Sequence, residues 1–233
     1  MTNRADRSNS DGRRLRWAEH RTQRRAGFVR AGVDAVDLYG PEASAEQIAE
    51  EAGVSRTVLY RYFRDRDDLR QAIADEIVGA VVGSVLPKLD LSPQSTPRTV
   101  ISAAIGVIVG WLDEHPNLYH FLRSRRTGLA SALDSVENTL ADSIAGVLKL
   151  LMGVFGVDAQ EADPGAYGIV GFVEASGGWW LQHRDAITRD RFAELVTIGV
   201  WHLLEGTARD YGIEVGFDDP LPVGSLTPAE SRS

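Results

Sequence analysis

Apolar residues recur at three- and four-residue spacing through most of the chain, and no stretch alternates long enough to read as a strand. The first stripe carries Phe28, Ala31, Gly32, Ala35, Leu38 and Tyr39. It predicts a helix from about Arg13 that Gly40-Pro41 stops. Ser44-Ala-Glu-Gln47 is a capping-box pattern that opens a short helix carrying Ile48 and Ala49, and Gly53 closes it. Ser55 caps a second short helix, Arg56 to Phe63, and a charged break at Arg64–Asp68 precedes a longer one from about Asp67 to Leu86. Pro87, Pro93 and Pro97 mark a loop. Helices are then predicted over Arg98–His115, Asn117–Ser124, Ala130–Phe155, Asp163–His183 and Arg189–Tyr211, the last capped by Thr188, with a basic loop at Arg125–Leu129. The expected fold is all-α.

Composition narrows the class. Hydrophobic residues make up 43% of the 233 and charged residues 25%, which excludes disorder over the full length. With no cysteine there is no disulfide framework, thiolate zinc site, iron–sulfur cluster or cysteine nucleophile. The first 30 residues hold no signal-peptide core. The most apolar stretches, Ile77–Leu86 and Val100–Leu112, fall short of the roughly 18 residues that span a bilayer, so no membrane partner and a cytoplasmic location are expected.

Charge is uneven. Nine arginines stand against three acidic residues in the first 30, a net of +6, while the remainder carries 16 basic and 30 acidic side chains. Such a basic arm suits phosphate neutralisation, which needs local charge, although a merely solvated arm has the same composition.

The segment Ala43–Leu69 decides between these. Two short helices joined through Ala52-Gly53-Val54 make a helix-turn-helix, with Gly53 allowing the sharp turn and Ala49 and Ala52 a close crossing. Val54, Leu59 and Phe63 are expected to face the core, leaving Arg56, Thr57, Tyr60, Arg61 and Tyr62 outward. Arginine forks onto guanine, threonine meets the thymine methyl and tyrosine hydroxyls reach phosphate, so this face suits a major groove. Ile48-Ala49, Ala52-Gly53-Val54-Ser55, Leu59-Tyr60, Phe63 and Leu69, behind a helix with Phe28, Ala31 and Leu38, resemble the tetracycline-repressor (TetR) family of bacterial transcriptional regulators. The close match covers Phe28 to Ala72. The resemblance implies a dimeric DNA-binding regulator with a C-terminal ligand-binding bundle, and a phosphate contact at Arg66, where the family usually has lysine. Thr57-Val58 departs from the family's small residue after the turn and leaves the operator sequence open. Arg14, Arg16, Arg24, Ser44 and Ser55 complete the expected DNA-contacting set.

The resulting division is a flexible basic arm at 1–12, a helix-turn-helix domain at 13–66, a ligand-binding and dimerisation domain at 67–211 and a disordered tail at 212–233. Trp111, Tyr119, His120, Arg123, Asn138, Phe172, Glu174 and Trp179 are candidates for an apolar effector cavity with few polar anchors, although for each apolar one ordinary core is the favoured reading. A fatty acid or acyl thioester is the first effector class, an aromatic compound the second. Gly165, Gly168 and Gly171 leave one helix face nearly bare, and with Trp180, His183, Val200, Trp201, Leu204 and Ala208 they outline a homodimer seam. The five histidines form no H-E-x-x-H and no serine sits in G-x-S-x-G, so neither enzyme, metal nor cofactor is expected. The rival reading is a small all-α ligand carrier or enzyme whose arm binds anions.

Overall fold

The computed structural model describes residues 5–124, 138–139, 141–146, 148–149, 152–153 and 162–221, with side chains from residue 19 onward. Regular structure among these residues is helical: α1 (Ala5–Tyr39), α2 (Ala45–Glu51), α3 (Arg56–Leu59), α4 (Arg66–Val85), a 3-10 turn at Leu86–Lys88, α5 (Pro97–Glu114), α6 (Pro116–Arg123), α7 (Ala162–Gln182) and α8 (Arg189–Asp210). The described residues between 138 and 153 are helical too, inside the predicted helix Ala130–Phe155. The remainder of that helix and the Arg125–Leu129 loop lie outside the described residues. No described helix is long and apolar enough to cross a membrane.

The boundaries follow from local chemistry. Ser44 Oγ accepts the N–H of Gln47 while the Gln47 side chain accepts the N–H of Ser44, so two orphan donors of α2 are satisfied reciprocally. Thr96 and Thr99 repeat the arrangement on α5, and Thr188 caps α8 through the N–H of Arg191. The turn after α2 needs a left-handed residue, and Gly53 supplies φ of 65°.

The chain divides into two compact units. The first takes residues up to Ile77 and also α6, so it differs from the expected break at 66/67. In it α1 and α4 approach closely: a Cβ on Gly32 would stand 2.5 Å from Ile73 Cδ1. α6 is fastened here by polar bonds as well as by its buried Leu118, Phe121 and Leu122. Asn117 Nδ2 donates to the Asp37 carbonyl at 2.7 Å. Arg70 on α4, only 4% exposed, donates to the Pro41 carbonyl (3.2 Å) and Ser124 Oγ (2.9 Å), with its guanidinium 4.3 Å above the Phe121 ring. Sequence separation hid this, since Arg70 and Ser124 stand 54 positions apart.

In the second unit α8 packs on α5 and α7. Gly177 admits Leu112, and Gly199 admits the Phe172 ring, in each case closer than a Cβ would allow. Two corrections concern the chain ends. Residues from Ala5 belong to α1, so the expected flexible arm is helical backbone over 5–12. Residues 213–221, expected to be disordered, form a strap across α5 and α8. Arg98 grips Asp218 with two bonds of 2.6 and 2.9 Å, and its backbone N–H donates to the Phe217 carbonyl. Phe217 lies between that guanidinium, 4.0 Å away, and the Trp201 ring at 5.0 Å. Leu221 is buried and donates its N–H to the Ser95 carbonyl at 2.8 Å. An aromatic ring stacked on both sides and a bidentate ion pair outweigh the loop-like composition of the segment. Residues 222–233 lie outside the described residues.

Candidate nucleic-acid interface

The helix-turn-helix assembles as its pattern dictates. Ile48 and Ala49 of α2, Leu59 of α3 and Phe63 are buried, and Ser55 Oγ caps α3 by accepting the N–H of Val58. α3 is shorter than predicted. After Leu59 the chain tightens, with Arg61 N–H donating to the Val58 carbonyl and Tyr62 N–H to that of Leu59, so residues 60–62 continue as turns. Arg56, Thr57 and Arg61 are exposed and Tyr60 is half-buried. Besides Tyr60, two of the outward or core assignments change. Tyr62 is half-buried, with its ring edge-to-face on Phe28 at 5.0 Å, because α1 passes behind that turn. Val54 is half-buried at the turn rather than in the core.

The cations differ in their engagement. Arg56 pairs with Glu46 at 2.7 Å and lies 5.4 Å over the Tyr60 ring, and Arg66 meets Glu42 at 3.9 Å. These pairs are exposed, so a competing phosphate displaces them at little cost. Ser44 is half-buried and Ser55 exposed, each at the N-terminus of its helix. Arg24 is exposed, 5.6 Å over the Phe28 ring; Arg14 and Arg16 lie on α1 with side chains outside the described set. Behind the interface, Arg25 lies 4.7 Å over the Phe63 ring and bonds Asp68 at 3.3 Å. The backbone N–H of Arg64 holds the Asp68 carboxyl below its ordinary range; burial pushes the other way, and the charges of Arg64 and Arg25 add to the lowering.

The expected effector residues fall in both units. Tyr119, His120 and Arg123 are on α6 in the first. Tyr119 is buried, and its hydroxyl accepts from Arg123 at 2.8 Å, while His120 and Arg123 are exposed. In the second, Trp111, Phe172 and Glu174 are half-buried, Asn138 is exposed and accepts from the Tyr167 hydroxyl at 2.9 Å, and Trp179 is 45% exposed, stacked on His183 at 4.5 Å. Gly106, Gly146 and Gly153 are exposed, with open space where a Cβ would stand.

The expected dimer residues also separate. Gly168, Gly171 and His183 are exposed, and Leu204 and Ala208 half-buried. Trp180, Val200 and Trp201 are buried within their own unit: Trp180 donates to the Ile187 carbonyl at 3.0 Å and stacks on Phe192, and Trp201 stacks on Phe217. Their side chains are packed within this unit. Tyr167, Leu195 and Leu203, exposed on α7 and α8, were not singled out by spacing.

The family described as "Bacterial regulatory proteins, tetR family" matches residues 28–73, from the first buried ring of α1 to Ile73. An HTH-type transcriptional regulator of Mycobacterium tuberculosis is 28% identical over 94% of both chains. Among solved structures, a tetR-family regulator from Streptomyces coelicolor is 21% identical with a TM-score of 0.63, covering 88% of this chain and 94% of its own. The regulator FadR from Bacillus subtilis in complex with stearoyl-CoA is 17% identical with a TM-score of 0.60, covering 78% and 98%. The matched segment is the one whose caps, turn and exposed cations are described above, and on that ground residues 28–73 are a helix-turn-helix domain of the TetR type, the DNA-binding module of bacterial transcriptional regulators.

Proposed function

We propose that the protein is a cytoplasmic homodimeric repressor that binds a palindromic operator and is released by a long apolar effector. The observation that carries the DNA-facing part is the exposed run Arg56, Thr57 and Arg61 at the mouth of a capped α3. Arg56 and Arg61 read base edges, Tyr60 and Arg66 reach phosphates, and the helix N-termini at Ser44 and Ser55 hold the backbone. Two copies joined through the bare α7 glycines and the exposed Leu195, Leu203 and Trp179 give the dyad that a palindrome requires.

The acyl-type effector is supported by the likeness to the regulator solved with stearoyl-CoA and by the scarcity of convergent polar groups on α5 and α7. An effector that favours one arrangement of the bundle releases DNA by linkage. The test is fluorescence anisotropy on promoter DNA beside the gene. Arg61→Ala is expected to weaken binding without lowering thermal stability. Fatty acids and acyl thioesters of twelve to eighteen carbons (about that range) are expected to release the complex below their micelle concentrations. Release by a planar aromatic alone would sink the acyl reading, and unchanged binding by Arg61→Ala would sink the placement of α3 in the groove.

A further inference from the structure

α1 is longer than its unit requires. Its 35 residues reach about 52 Å, yet Phe28 is the first buried side chain described along it, and Glu19 through Arg24 are all exposed. Over Glu19 to Arg24 the helix gains nothing from burial. Its sequence shows what it offers instead. Arg7, Arg14 and Arg21 recur every seventh residue, on a line that drifts by only about 20° per heptad and arrives at Phe28. Phe28 is where α1 packs on Tyr62, in the turn leaving α3. The arginine positions therefore continue the face of α1 that backs the recognition segment.

On α1, where it passes the α2–α3 turn, lies a cleft of about 370 Å³ lined by His20, Gln23, Arg24, Gly27, Phe28 and Ala52. Arg25, Arg56, Arg64 and Arg66 each have a carboxylate partner, whereas Arg24 has none among the described residues and keeps one face on the Phe28 ring. His20 and Gln23 are exposed polar groups beside it. The cleft is open at Gly27, where a Cβ would meet nothing within 4 Å. A cation held against a ring, flanked by neutral hydrogen-bonding groups with no acid on the lining, selects for an anion with several acceptor oxygens.

We propose that this cleft seats a phosphate of the DNA duplex beyond the stretch held by the helix-turn-helix, with Arg24 supplying charge and His20 and Gln23 hydrogen bonds. The proposal rests on the DNA-binding reading and adds a second contact region to it. Because phosphate contacts carry no sequence, a long duplex of mixed sequence serves as the probe alongside promoter DNA. Each lost contact flattens the slope of log K against log salt by about 0.9. Arg24→Gln is then expected to bind more weakly at low salt, and the advantage of the native protein to shrink about 3.5-fold between about 50 and 200 mM salt. Gly27→Glu, which places a carboxylate in the cleft, is expected to lose at least as much, with its thermal unfolding followed alongside to report on folding.

Arg61→Ala is the control for the parent reading. If it weakens binding while Arg24→Gln and Gly27→Glu keep the native slope, the second site is wrong and the helix-turn-helix reading stands. If none of the three differs from the native protein, both fail. Should inorganic phosphate at fixed ionic strength abolish the difference between native protein and Gly27→Glu, the cleft is a free-anion site and the duplex contact is overturned.

Discussion

Replacing Gly32 by alanine tests how closely α1 lies on α4. The new Cβ would stand 2.5 Å from Cδ1 and 2.7 Å from Cγ1 of Ile73, and 3.7 Å from Cγ2 of Ile48. Carbon atoms rest at about 3.5–4.0 Å, so roughly 1 Å must be recovered from a side chain with no exposed surface. Overpacking of this kind costs about 1–3 kcal/mol, and alanine returns about 0.8–1 kcal/mol of helix propensity. The expected net is a loss of about 0–2 kcal/mol, whereas the same exchange at open Gly27 gains about 1 kcal/mol. Ile73→Ala alone costs about 2–5 kcal/mol by leaving a cavity. In the double variant the methyl at 32 occupies part of that cavity, so the pair is expected to fall short of the sum by about 1 kcal/mol or more. Urea unfolding followed by circular dichroism, with m compared across the four proteins, measures this. Additivity within about 0.5 kcal/mol, or a stabilising Gly32→Ala, would refute the close approach of the two helices.

Two further outcomes follow from ion pairs. Because Asp68 is held below its ordinary value of 3.8, its contribution is complete above that value and is lost as pH falls through the lower folded value. Asp68→Asn is therefore expected to lower the urea midpoint at neutral pH and to converge on the native protein in acid; a gap that persists at low pH contradicts the assignment. For the C-terminal strap, Arg98→Gln is expected to speed proteolytic cleavage within 213–221, and about 1 M salt to bring the native protein toward the same rate, because the Arg98–Asp218 pair is exposed. Equal cleavage of native and variant proteins would show that Phe217 and Leu221 hold the strap without the ion pair.

The legible part of the molecule is the part encoded over short separations. The capping residues Ser44, Thr188 and Ser55 mark their helices because cap and partner stand three residues apart. Gly53 is legible for a related reason, since one backbone conformation suffices to demand it. What escaped is long-range. Arg98 and Asp218 are 120 residues apart, and nothing in the loop-like stretch around Phe217 announces a partner. α6 joined the first unit through Arg70 and Asn117, side chains that a helical pattern reads as ordinary surface. The tryptophans illustrate a further limit. Periodicity identifies Trp180 and Trp201 as apolar-face residues, but it does not say whether that face meets its own core or a second chain; both are core. Trp179, one position before Trp180, is exposed.

The first turns of α4 hold two joints made of different materials. One is the carboxylate of Asp68, tied to α1 by Arg25 and to the α3–α4 turn by the N–H of Arg64. The other, two residues along, is the guanidinium of Arg70, bolted to a carbonyl, a hydroxyl and an aromatic face. Acid discharges the first and leaves the second untouched, since a guanidinium keeps its proton at any pH a cell meets and none of those three Arg70 partners ionises. Strong acid, below the ordinary carboxylate value of 3.8, thus loosens the recognition turn from its backing helix while α6 stays clamped to α4. The protein has in this pair of neighbours a built-in order of failure, in which grip on DNA softens before the scaffold that carries it.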